Sequence, residues 1–468
     1  MDHAAWLASG MAGADDQAKD AYRYYMRPDP NQREMVGPIE IMDDPVTGRS
    51  MRYREAKVGM VRNAKEENMR PVRVWLDPLP HIRLDKGKDL QGWYQPKHND
   101  KQGSRPRPCY TDAMLTEPYG GYCTVGCAFC YVNSGFRGYR GSGLISVPIG
   151  YGEHVRKQLA SMQTAAAGYF SSFTDPFLPL EEFYHNTQQG ASAFVNAGLP
   201  IFFLSRLRYP DWAIDLLRQN PYSYAQKSIN TPDPDDWKKL SPGALPLMEH
   251  LEDIRRLKGA GIYVSIQVNP ILPGIVTHED VEQLFGMLAE AGTDHVIVKF
   301  VEAGYAWAGA MVERVSKRFG DNRGALFRDL FTENQCGAQR TVAREYRLEG
   351  HRRYQRRAAD LGMTYATCYE YDRDADGNWR SIGGDFLTAD QCHGHRVPMY
   401  QRNREALRTW FSPMEVCPPS GCLTCADKTG KPACGSDLLG SAKALRLADL
   451  RRDPWADSSN ASSTSSAS

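Results

Sequence analysis

The stretch E-P-Y-G-G-Y-C-T-V-G-C-A-F-C-Y-V, residues 117–132, holds three closely spaced cysteines. Cys123, Cys127 and Cys130 follow the spacing C-x3-C-x2-C on what should be a single loop. Three thiolates on one loop can hold three irons of a [4Fe-4S] cubane and leave the fourth iron open, whereas four thiolates close the cluster. The spacing therefore predicts an iron–sulfur cluster with one vacant coordination position.

A zinc site is the alternative for these cysteines. Three thiolates and a distant fourth ligand can make a closed tetrahedral zinc site, but zinc motifs favour paired C-x2-C units. A strand expected at 110–115 comes just before the loop, and Phe129 stands before the last cysteine. The coincidence of spacing, aromatic residue and strand favours the cluster.

Short apolar runs alternate with helical patterns through the middle of the chain. Strands are expected at 110–115, 167–173, 200–205, 222–228, 262–268, 295–300 and 363–368. Helices are expected at 153–165, 180–197, 245–260 and 278–291. Apolar residues recur in these helices at three- and four-residue spacing. A repeated strand–helix unit predicts an α/β fold with a parallel sheet, open or curled into a barrel, and with reactive groups at the strand C-termini.

The cysteine loop resembles the signature of a known enzyme superfamily. C-x3-C-x-aromatic-C, with Phe129 as the aromatic residue, is similar to the motif of radical S-adenosylmethionine (SAM) enzymes. T-D-P-F-L-P-L-E at 174–181, S-I-N-T-P-D at 228–233 and P-I-L-P-G at 270–274 resemble the spore photoproduct lyase-like (DNA repair photolyase-like) branch. The resemblance covers about 118–300. It implies a partial (β/α)6 TIM-type barrel, SAM bound across the strand ends and release of a 5'-deoxyadenosyl radical.

The resemblance also implies which residues contact SAM. The adenine side is assigned to the main chain around Phe129 and Tyr131. The methionyl ammonium, which suits charge-assisted hydrogen bonds, is assigned to Ser172, Thr174 and Asp175. The ribose and the methionyl carboxylate are assigned to Ser228, Asn230 and Asn269. The structural alternative for each polar residue is a helix cap or a turn.

A second group of cysteines lies near the end of the chain. Cys417, Cys422, Cys425 and Cys434 follow C-x4-C-x2-C-x8-C in a segment rich in Pro and Gly and poor in apolar residues. Metal ligation would supply the folding energy that such a segment lacks. Thiolates suit both a second [4Fe-4S] cluster and zinc, and we favour the cluster because iron–sulfur chemistry is already expected.

Two further cysteines complicate that ligand set. Cys368 and Cys392 resemble cysteine positions in the tails of related radical SAM proteins, and either could replace Cys434. His393 and His395 could also ligate, although histidines in loops are more often ordinary hydrogen-bonding groups. This region departs from the photolyase pattern, which weakens the transfer of DNA-repair activity.

Charge is nearly balanced over the chain. Lys and Arg number 57 and Asp and Glu 56, so no global field attracts nucleic acid, and a duplex would need a local basic groove. The segment 340–357 concentrates arginine on an expected helix that could grip a phosphate. The charge pattern favours the alternative, which is a solvent-exposed helix face on which Glu345 and Glu349 lie among the arginines.

The composition is that of a soluble globular protein. It is 41% hydrophobic and 24% charged, and no apolar run approaches the roughly 20 residues of a membrane helix. The N-terminus lacks the basic start and apolar stretch of a secretory signal. We therefore expect a cytoplasmic protein without a membrane partner, in which most of the eleven cysteines serve metal binding or catalysis rather than disulfides.

Five regions are expected along the 468 residues. They are an irregular N-terminal extension (1–108), the partial barrel (109–302), a helical and strand part completing it (303–390), a Cys-rich auxiliary iron–sulfur module (391–440), and a C-terminal helix with a disordered tail (441–468). The tail is small, polar and unable to bury apolar area.

The expected function is hydrogen abstraction by the 5'-deoxyadenosyl radical from a small polar substrate, such as a nucleotide or natural product in biosynthesis. A flavodoxin-type protein or reductase would supply the electron. The auxiliary cluster would relay an electron, anchor the substrate or donate sulfur for a C–S bond. Two alternatives stay open, which are repair of a DNA lesion and an iron–sulfur electron carrier or redox sensor.

Overall fold

The computed structural model describes residues 33–59, 69–92, 113–130, 144–335, 339–377, 379–403, 410–415 and 446–452. The strands are β1 (Arg33–Asp44), β2 (Arg49–Gly59), β3 (Met69–Trp75), β4 (His81–Leu84), β5 (Gln91–Gly92), β6 (Ala113–Thr116), β7 (Gly120–Gly121), β8 (Ile145–Pro148), β9 (Thr164–Ala165), β10 (Ala167–Phe170), β11 (Ile201–Ser205), β12 (Tyr224–Ser228), β13 (Tyr263–Ile271), β14 (His295–Phe300), β15 (Glu302–Gly304), β16 (Glu333–Gln335), β17 (Gln339–Thr341), β18 (Thr364–Thr367), β19 (Tyr371–Arg373), β20 (Trp379–Ser381), β21 (Tyr400–Arg402) and β22 (Phe411–Pro413).

The helices cover and connect these strands. They are α1 (Tyr151–Ala160), α2 (Glu181–Tyr184), α3 (Asn186–Asn196), α4 (Asp211–Leu217), α5 (Pro234–Leu240), α6 (Leu247–Gly259), α7 (His278–Glu290), α8 (Tyr305–Phe319), α9 (Asp321–Leu330), α10 (Arg344–Asp360), α11 (Gly383–Phe386) and α12 (Leu447–Arg451). Within the described ranges no helix is both long and apolar enough to cross a membrane.

A parallel sheet forms the centre of the fold. Its strand order is β18-β14-β13-β12-β11-β10-β6-β5, and every strand except β5 runs parallel to its neighbours. The parallel strands follow one another in chain order, with at least one helix between each consecutive pair. The predicted α/β class is confirmed. The sheet has seven parallel strands where the resemblance implied six, and its curling into a partial barrel remains a prediction.

The two faces of this sheet differ in chemistry because side chains alternate along a strand. In β13, Val264, Ile266 and Val268 are buried in the main apolar core. Leu251 and Leu257 of α6 pack into the same core. The other face carries polar and aromatic side chains, including Tyr224, Gln226, Ser265 and Gln267. All parallel strands end at the same edge of the sheet, which we call the carboxyl edge. The polar side chains of the second face extend along the strands toward this edge.

The N-terminal extension is not irregular, so that prediction was wrong for its described part. Strands β1 to β4 form an antiparallel sheet that continues into β8 and β7 in the order β1-β2-β3-β4-β8-β7. The extension thus shares a sheet with 120–121 and 145–148, beyond the expected boundary at 108. The hydrophobic pattern of the sequence did not reveal β1. In this edge strand the apolar residues Val36, Ile39 and Ile41 are exposed, so apolar positions do not mark a buried face.

Two expected helices also differ from the structure. The first ends at Ala160, before the expected 165, because Thr164 and Ala165 pair with β21 as a short strand. The second is divided into α2 and α3 by His185, whose left-handed φ of 52° breaks the helical path. The C-terminal cysteine segment 417–434 and the expected disordered tail at 458–468 lie outside the described residues.

Candidate functional site

The cysteine loop lies at the carboxyl edge, directly after β6. Cys123 is only 8% exposed, Cys127 and Cys130 are half-buried, and none of the three forms a disulfide. Burial raises the pKa of the Cys123 thiol, and the negative charges of Asp175, Cys130 and Cys127 raise it further. Negative charge on Cys127 or Cys130 thus disfavours ionisation of the Cys123 thiol. A cationic group bound among them would relieve that repulsion, which fits an iron–sulfur cluster.

The loop packs on the end of α5 and on the segment that follows it. Ala128 N donates to Leu240 O (2.8 Å), and Gly243 N donates to Val125 O (3.0 Å). A Cβ at Gly243 would overlap the Thr124 carbonyl oxygen, so only glycine allows this approach. The main chain of the loop is thereby fixed by a neighbouring segment as well as by its own turns.

Ser241 brings a hydroxyl to the second cysteine. Its Oγ lies 3.3 Å from Cys127 Sγ, within the range of a hydrogen bond to sulfur. Such bonds to ligating sulfurs raise the reduction potential of iron–sulfur clusters. No sequence motif singled out Ser241, whose relation to Cys127 arises only from the fold.

Two arginines of α8 hold the carbonyl groups of the loop. Arg314 donates from Nε to Ala128 O (3.0 Å) and from Nη2 to Cys130 O (3.3 Å). Arg318 donates to Gly126 O (3.3 Å) and to Lys239 O (2.7 Å). Burial lowers the pKa of Arg314, yet a guanidinium stays charged in proteins. These arginines place positive charge beside the thiols.

A carboxylate that sequence reasoning missed lies beside the predicted ammonium site. Glu117, the residue after β6, accepts hydrogen bonds from Ser171 Oγ and Ser172 Oγ, both at 3.1 Å. Thr174 Oγ1 donates to Tyr119 O (3.1 Å). The structure thus brings Ser172 and Thr174 next to the start of the cysteine loop. The only signal for Glu117 was its place at a strand end in the quoted motif.

Asp175 is buried behind these residues, where its carboxylate already accepts several hydrogen bonds. Oδ1 accepts from Phe177 N (3.0 Å) and Ser205 Oγ (2.9 Å), and Oδ2 accepts from Arg206 N (2.7 Å). Burial raises the pKa of Asp175 against the effect of these bonds. The carboxylate therefore connects the turn after β10 to the end of β11 through hydrogen bonds. A contact between Asp175 and the methionyl ammonium stays a prediction.

The remaining predicted SAM residues converge on one arginine. Arg206 donates to Asn269 O (2.8 Å) and lies 3.4 Å from Asn230 Oδ1. Ser228 Oγ is 3.4 Å from the same Asn269 oxygen, and Asn230 Nδ2 donates to Pro270 O (3.0 Å). The structure brings Ser228, Asn230 and Asn269 together at the ends of β12 and β13, and their contacts with SAM stay a prediction.

Arg206 also reaches the cysteine loop. Its guanidinium lies 5.2 Å from the Phe129 ring centroid and 5.4 Å from that of Trp237. Nη1 lies 3.4 Å from Ser241 Oγ. Sequence reasoning missed Arg206, because its only signal was a position just after a strand. Tyr131, predicted near adenine, lies outside the described residues.

The histidines and cysteines considered for a second metal site lie apart. Cys368 follows β18 at the carboxyl edge, where its N donates to Val298 O. The Cys392 carbonyl accepts from Nε2 of His295 (2.8 Å), the first residue of β14, and is therefore at the opposite edge. His393 is there too, 2.6 Å from the Tyr224 hydroxyl. Cys368 and Cys392 are separated by the length of a strand, so they cannot ligate one metal site together.

Burial keeps His393 neutral. It lowers the pKa of His393 to about 3, and nearby His295 acts in the same direction. His395 stacks on Tyr263 at 4.6 Å between ring centroids. Buried His393 and half-buried His395 thus both have structural contacts within the fold. The part of the chain that the structure describes contains no group of three or more His, Cys, Asp or Glu side chains suited to a single metal ion.

No family model matches the chain. A protein of Pseudomonas phage M6 named radical SAM Nalpha-GlyT isomerase is 63% identical over 462 residues, which cover 97% of this chain and 95% of that relative. A solved structure of spore photoproduct lyase with dinucleoside spore photoproduct has a TM-score of 0.43 and 15% identity, covering 58% of this chain and 78% of that one. Streptococcus suis SuiB has a TM-score of 0.36 and 12% identity, covering 56% and 50%.

Proposed function

Since the chain belongs to the radical SAM enzymes, we propose that it catalyses the isomerisation for which its phage relative is named, with Nalpha-GlyT as the substrate. The observation that carries this proposal is the 63% identity over 97% of the chain. An isomerisation leaves the atoms and the oxidation state of the substrate unchanged. Sulfur donation is therefore not needed, and we set it aside, together with lesion repair and simple electron carriage.

We assign the [4Fe-4S] cluster to Cys123, Cys127 and Cys130. When bound, the cluster and SAM supply a 5'-deoxyadenosyl radical that removes a hydrogen atom from the substrate. Support comes from three thiols on one loop, where burial and then the negative charges of Asp175, Cys130 and Cys127 raise the pKa of Cys123, and from main-chain bonds that fix the loop. Burial of Cys123 keeps water from this side of the site.

The methionyl ammonium of SAM would bind between Ser172 and Glu117. Their hydrogen bond of 3.1 Å places a hydroxyl and a carboxylate together beside the cysteine loop, and both are acceptors for an ammonium. Asp175, whose oxygens accept from Phe177, Ser205 and Arg206, would position this region from behind. Thr174 would do the same through its bond to Tyr119 O.

The methionyl carboxylate would bind Arg206. The guanidinium lies near Phe129 of the cysteine loop and contacts Asn230 and the Asn269 carbonyl. An arginine fork recognises a carboxylate through two parallel hydrogen bonds. Ser228 and Asn230 then remain the proposed ribose contacts at the ends of the neighbouring strands.

The substrate would lie on the polar face next to Arg206. Half-buried Asn269 donates to Gln267 Oε1 (3.3 Å), and Gln267 donates to Gln226 Oε1 (2.8 Å). These amides present hydrogen-bonding groups along one sheet face below the proposed SAM site. Such a surface suits a polar substrate better than an apolar one, because buried amides need partners.

The test is turnover under oxygen-free conditions. We expect reconstituted enzyme, given SAM, a reductant and Nalpha-GlyT, to form 5'-deoxyadenosine and a product of unchanged mass but different chromatographic retention and fragmentation. The Cys123→Ala variant should form neither. Formation of 5'-deoxyadenosine without any isomer would contradict the proposed substrate, and a product of changed mass would contradict isomerisation.

The second cluster at Cys417, Cys422, Cys425 and Cys434 remains a separate proposal. These residues lie outside the described ranges, so only the thiolate spacing supports it. Iron analysis tests it directly, because two cubanes need about eight irons per chain and one needs about four. Replacing the four cysteines by alanine should lower the count to about four while the first cluster remains.

A further inference from the structure

The parallel strands turn one charged side chain toward the polar face of the central sheet. The seven strands contain two residues of the Lys, Arg, Asp and Glu types, and both are lysines. Lys227 faces away from the polar face, because its ammonium pairs with Asp253 of α6 at 2.6 Å. Lys299 lies on the polar face, since Val298 and Phe300 on either side of it belong to the apolar core. Lys299 is the last residue but one of β14, so it lies near the carboxyl edge.

Two neighbours hold the Lys299 ammonium in place. Glu302, the first residue of β15, accepts a hydrogen bond from Nζ at 2.5 Å. The Tyr369 ring packs against the ammonium, with 4.4 Å between Nζ and the ring centroid. The side-chain amide of Gln339 on β17 donates to both Glu302 oxygens, at 3.1 Å and 3.2 Å. The side chains of Lys299 and Glu302 are 12% and 14% exposed, so this pair is fixed by its surroundings but keeps an accessible surface.

The pair lies beside the strand end that carries proposed SAM contacts. The regular pairing of β13 with β14 ends at Val268 and Val298, and the register shifts over the next residues of β13. Lys299 follows Val298, so it lies beside this irregular segment, which begins with Asn269. The main-chain oxygen of Asn269 accepts from Arg206, for which we proposed the methionyl carboxylate. A ligand on the polar face could therefore contact the pair and lie next to SAM.

A purely structural role for the pair would be to connect β14 to β15. An ion pair with so little exposure adds little net stability, because both charges lose their hydration. Uncharged amides make the side-chain connections elsewhere on this face, where Asn269 donates to Gln267 (3.3 Å) and Gln267 donates to Gln226 (2.8 Å). One charge of each sign at the carboxyl edge is therefore better explained by a ligand that carries complementary groups.

We propose that Lys299 and Glu302 bind the amino-acid part of the substrate, with Lys299 donating to its carboxylate and Glu302 accepting from the N–H of its α-nitrogen. The proposal rests on the proposed function, because the name Nalpha-GlyT denotes a glycine joined through its α-nitrogen. Such a glycine keeps a free carboxylate and one N–H. An ammonium has three N–H donors, so Lys299 can bond to Glu302 and to a substrate oxygen at once. Both contacts with the substrate are charge-assisted, and together they fix the orientation of the glycine.

The test measures binding to holoenzyme that is loaded with SAM and left unreduced, so that no turnover occurs. Isothermal titration calorimetry gives the Kd of Nalpha-GlyT and of its carboxamide analogue, in which the glycine carboxylate is replaced by an uncharged amide. The variants are Lys299→Met and Glu302→Gln. The matched control is Lys258→Met, which removes a lysine from its pair with Asp294 (2.7 Å) at the opposite edge of the sheet.

We expect the parent to bind Nalpha-GlyT about tenfold or more tightly than the carboxamide, because the carboxamide loses a charge-assisted bond. Lys299→Met should bind Nalpha-GlyT about tenfold to 100-fold more weakly than the parent and should no longer prefer it over the carboxamide. Glu302→Gln should weaken the binding of both ligands, because both offer the same N–H. The control should stay within about twofold of the parent for both ligands, since its lysine lies at the other edge.

Three results would overturn the proposal. The first is equal affinity of the parent and Lys299→Met for Nalpha-GlyT, and a lower unfolding temperature of that variant would then show a structural pair. The second is a loss of SAM affinity in Lys299→Met as large as its loss of Nalpha-GlyT affinity, which would place Lys299 in the SAM site. The third is a parent that does not prefer the carboxylate over the carboxamide, a comparison that holds even if Lys299→Met does not fold.

The failure of this subsite and the failure of the proposed function give different results. If the parent isomerises Nalpha-GlyT while Lys299→Met binds it equally well, the function stands and the subsite is wrong. If the parent neither binds nor isomerises Nalpha-GlyT, the proposed function is wrong and the subsite falls with it.

Discussion

Replacing Gly243 by alanine tests how tightly the cysteine loop must be held. Gly243 N donates to Val125 O (3.0 Å), and an added Cβ would overlap Thr124 O and lie 3.0 Å from the Val125 Cα. The neighbours are main-chain atoms, which cannot rotate away as a flexible side chain would. The loop between Cys123 and Cys127 must therefore shift.

The expected magnitude follows from overpacking and from site geometry. Forcing an extra methyl group into a packed contact costs about 1–3 kcal/mol. A displacement on the order of 1 Å at a catalytic centre lowers rates by about 100-fold. We therefore expect Gly243→Ala to retain its fold, to bind less iron at the first cluster and to cleave SAM about 100-fold more slowly.

The assay measures iron and sulfide per chain, 5'-deoxyadenosine formation and thermal unfolding of the apoprotein. Gly259→Ala is the matched control, because it is the same substitution at a helical glycine with no atom within 4 Å of the added Cβ. That control should keep full iron and activity and gain slightly in stability, since alanine favours helix by about 1 kcal/mol. Parent-like iron content and SAM cleavage in Gly243→Ala would refute the reasoning.

Other substitutions test the neighbouring features. Arg206→Lys should keep the cluster but raise the KM for SAM about tenfold, because lysine cannot make the two parallel bonds of a guanidinium; an unchanged KM would remove Arg206 from the site. Asp253→Asn should lower the free energy of unfolding by about 3–5 kcal/mol in urea titrations, because buried Lys227, 2.6 Å away, would lose its countercharge; a loss below 1 kcal/mol would contradict this. Burial lowers the pKa of His393 from 6.5 to about 3, so the unfolded chain takes up the proton first as pH falls. The stability contributed by neutral His393 is complete above pH 6.5 and declines below it, and His393→Gln should flatten the fall in unfolding free energy between about pH 6.5 and 4.

Buried parallel strands were the most predictable part of the fold. The strand expected at 295–300 has the same bounds in β14, and β11 begins one residue after its expected start. These two strands consist mostly of apolar residues, and they stand out as short runs between polar turns. Exposed strands such as β1 lack this contrast, so the N-terminal sheet could not be predicted from hydrophobic pattern.

The site was predictable only where residues lie close in sequence. The cysteine triplet is a local motif, and the polar residues at Ser228 and Asn269 were found because they end strands. Glu117 and Arg206 depend on contacts across the sheet edge, for instance the bond from Arg206 to Asn269 O (2.8 Å). A lone glutamate or arginine after a strand has no pattern of its own. Tertiary structure was needed to identify both.

The most direct test of the account asks whether three thiolates leave one iron open to SAM. Electron paramagnetic resonance of the reduced, reconstituted protein, recorded before and after SAM is added, reports on that iron. The account predicts a [4Fe-4S] signal that SAM shifts in the parent, and loss of the SAM-responsive signal in the variant with Cys123, Cys127 and Cys130 changed to alanine. A parent signal that SAM leaves unchanged, or zinc in place of iron at these cysteines, would contradict it.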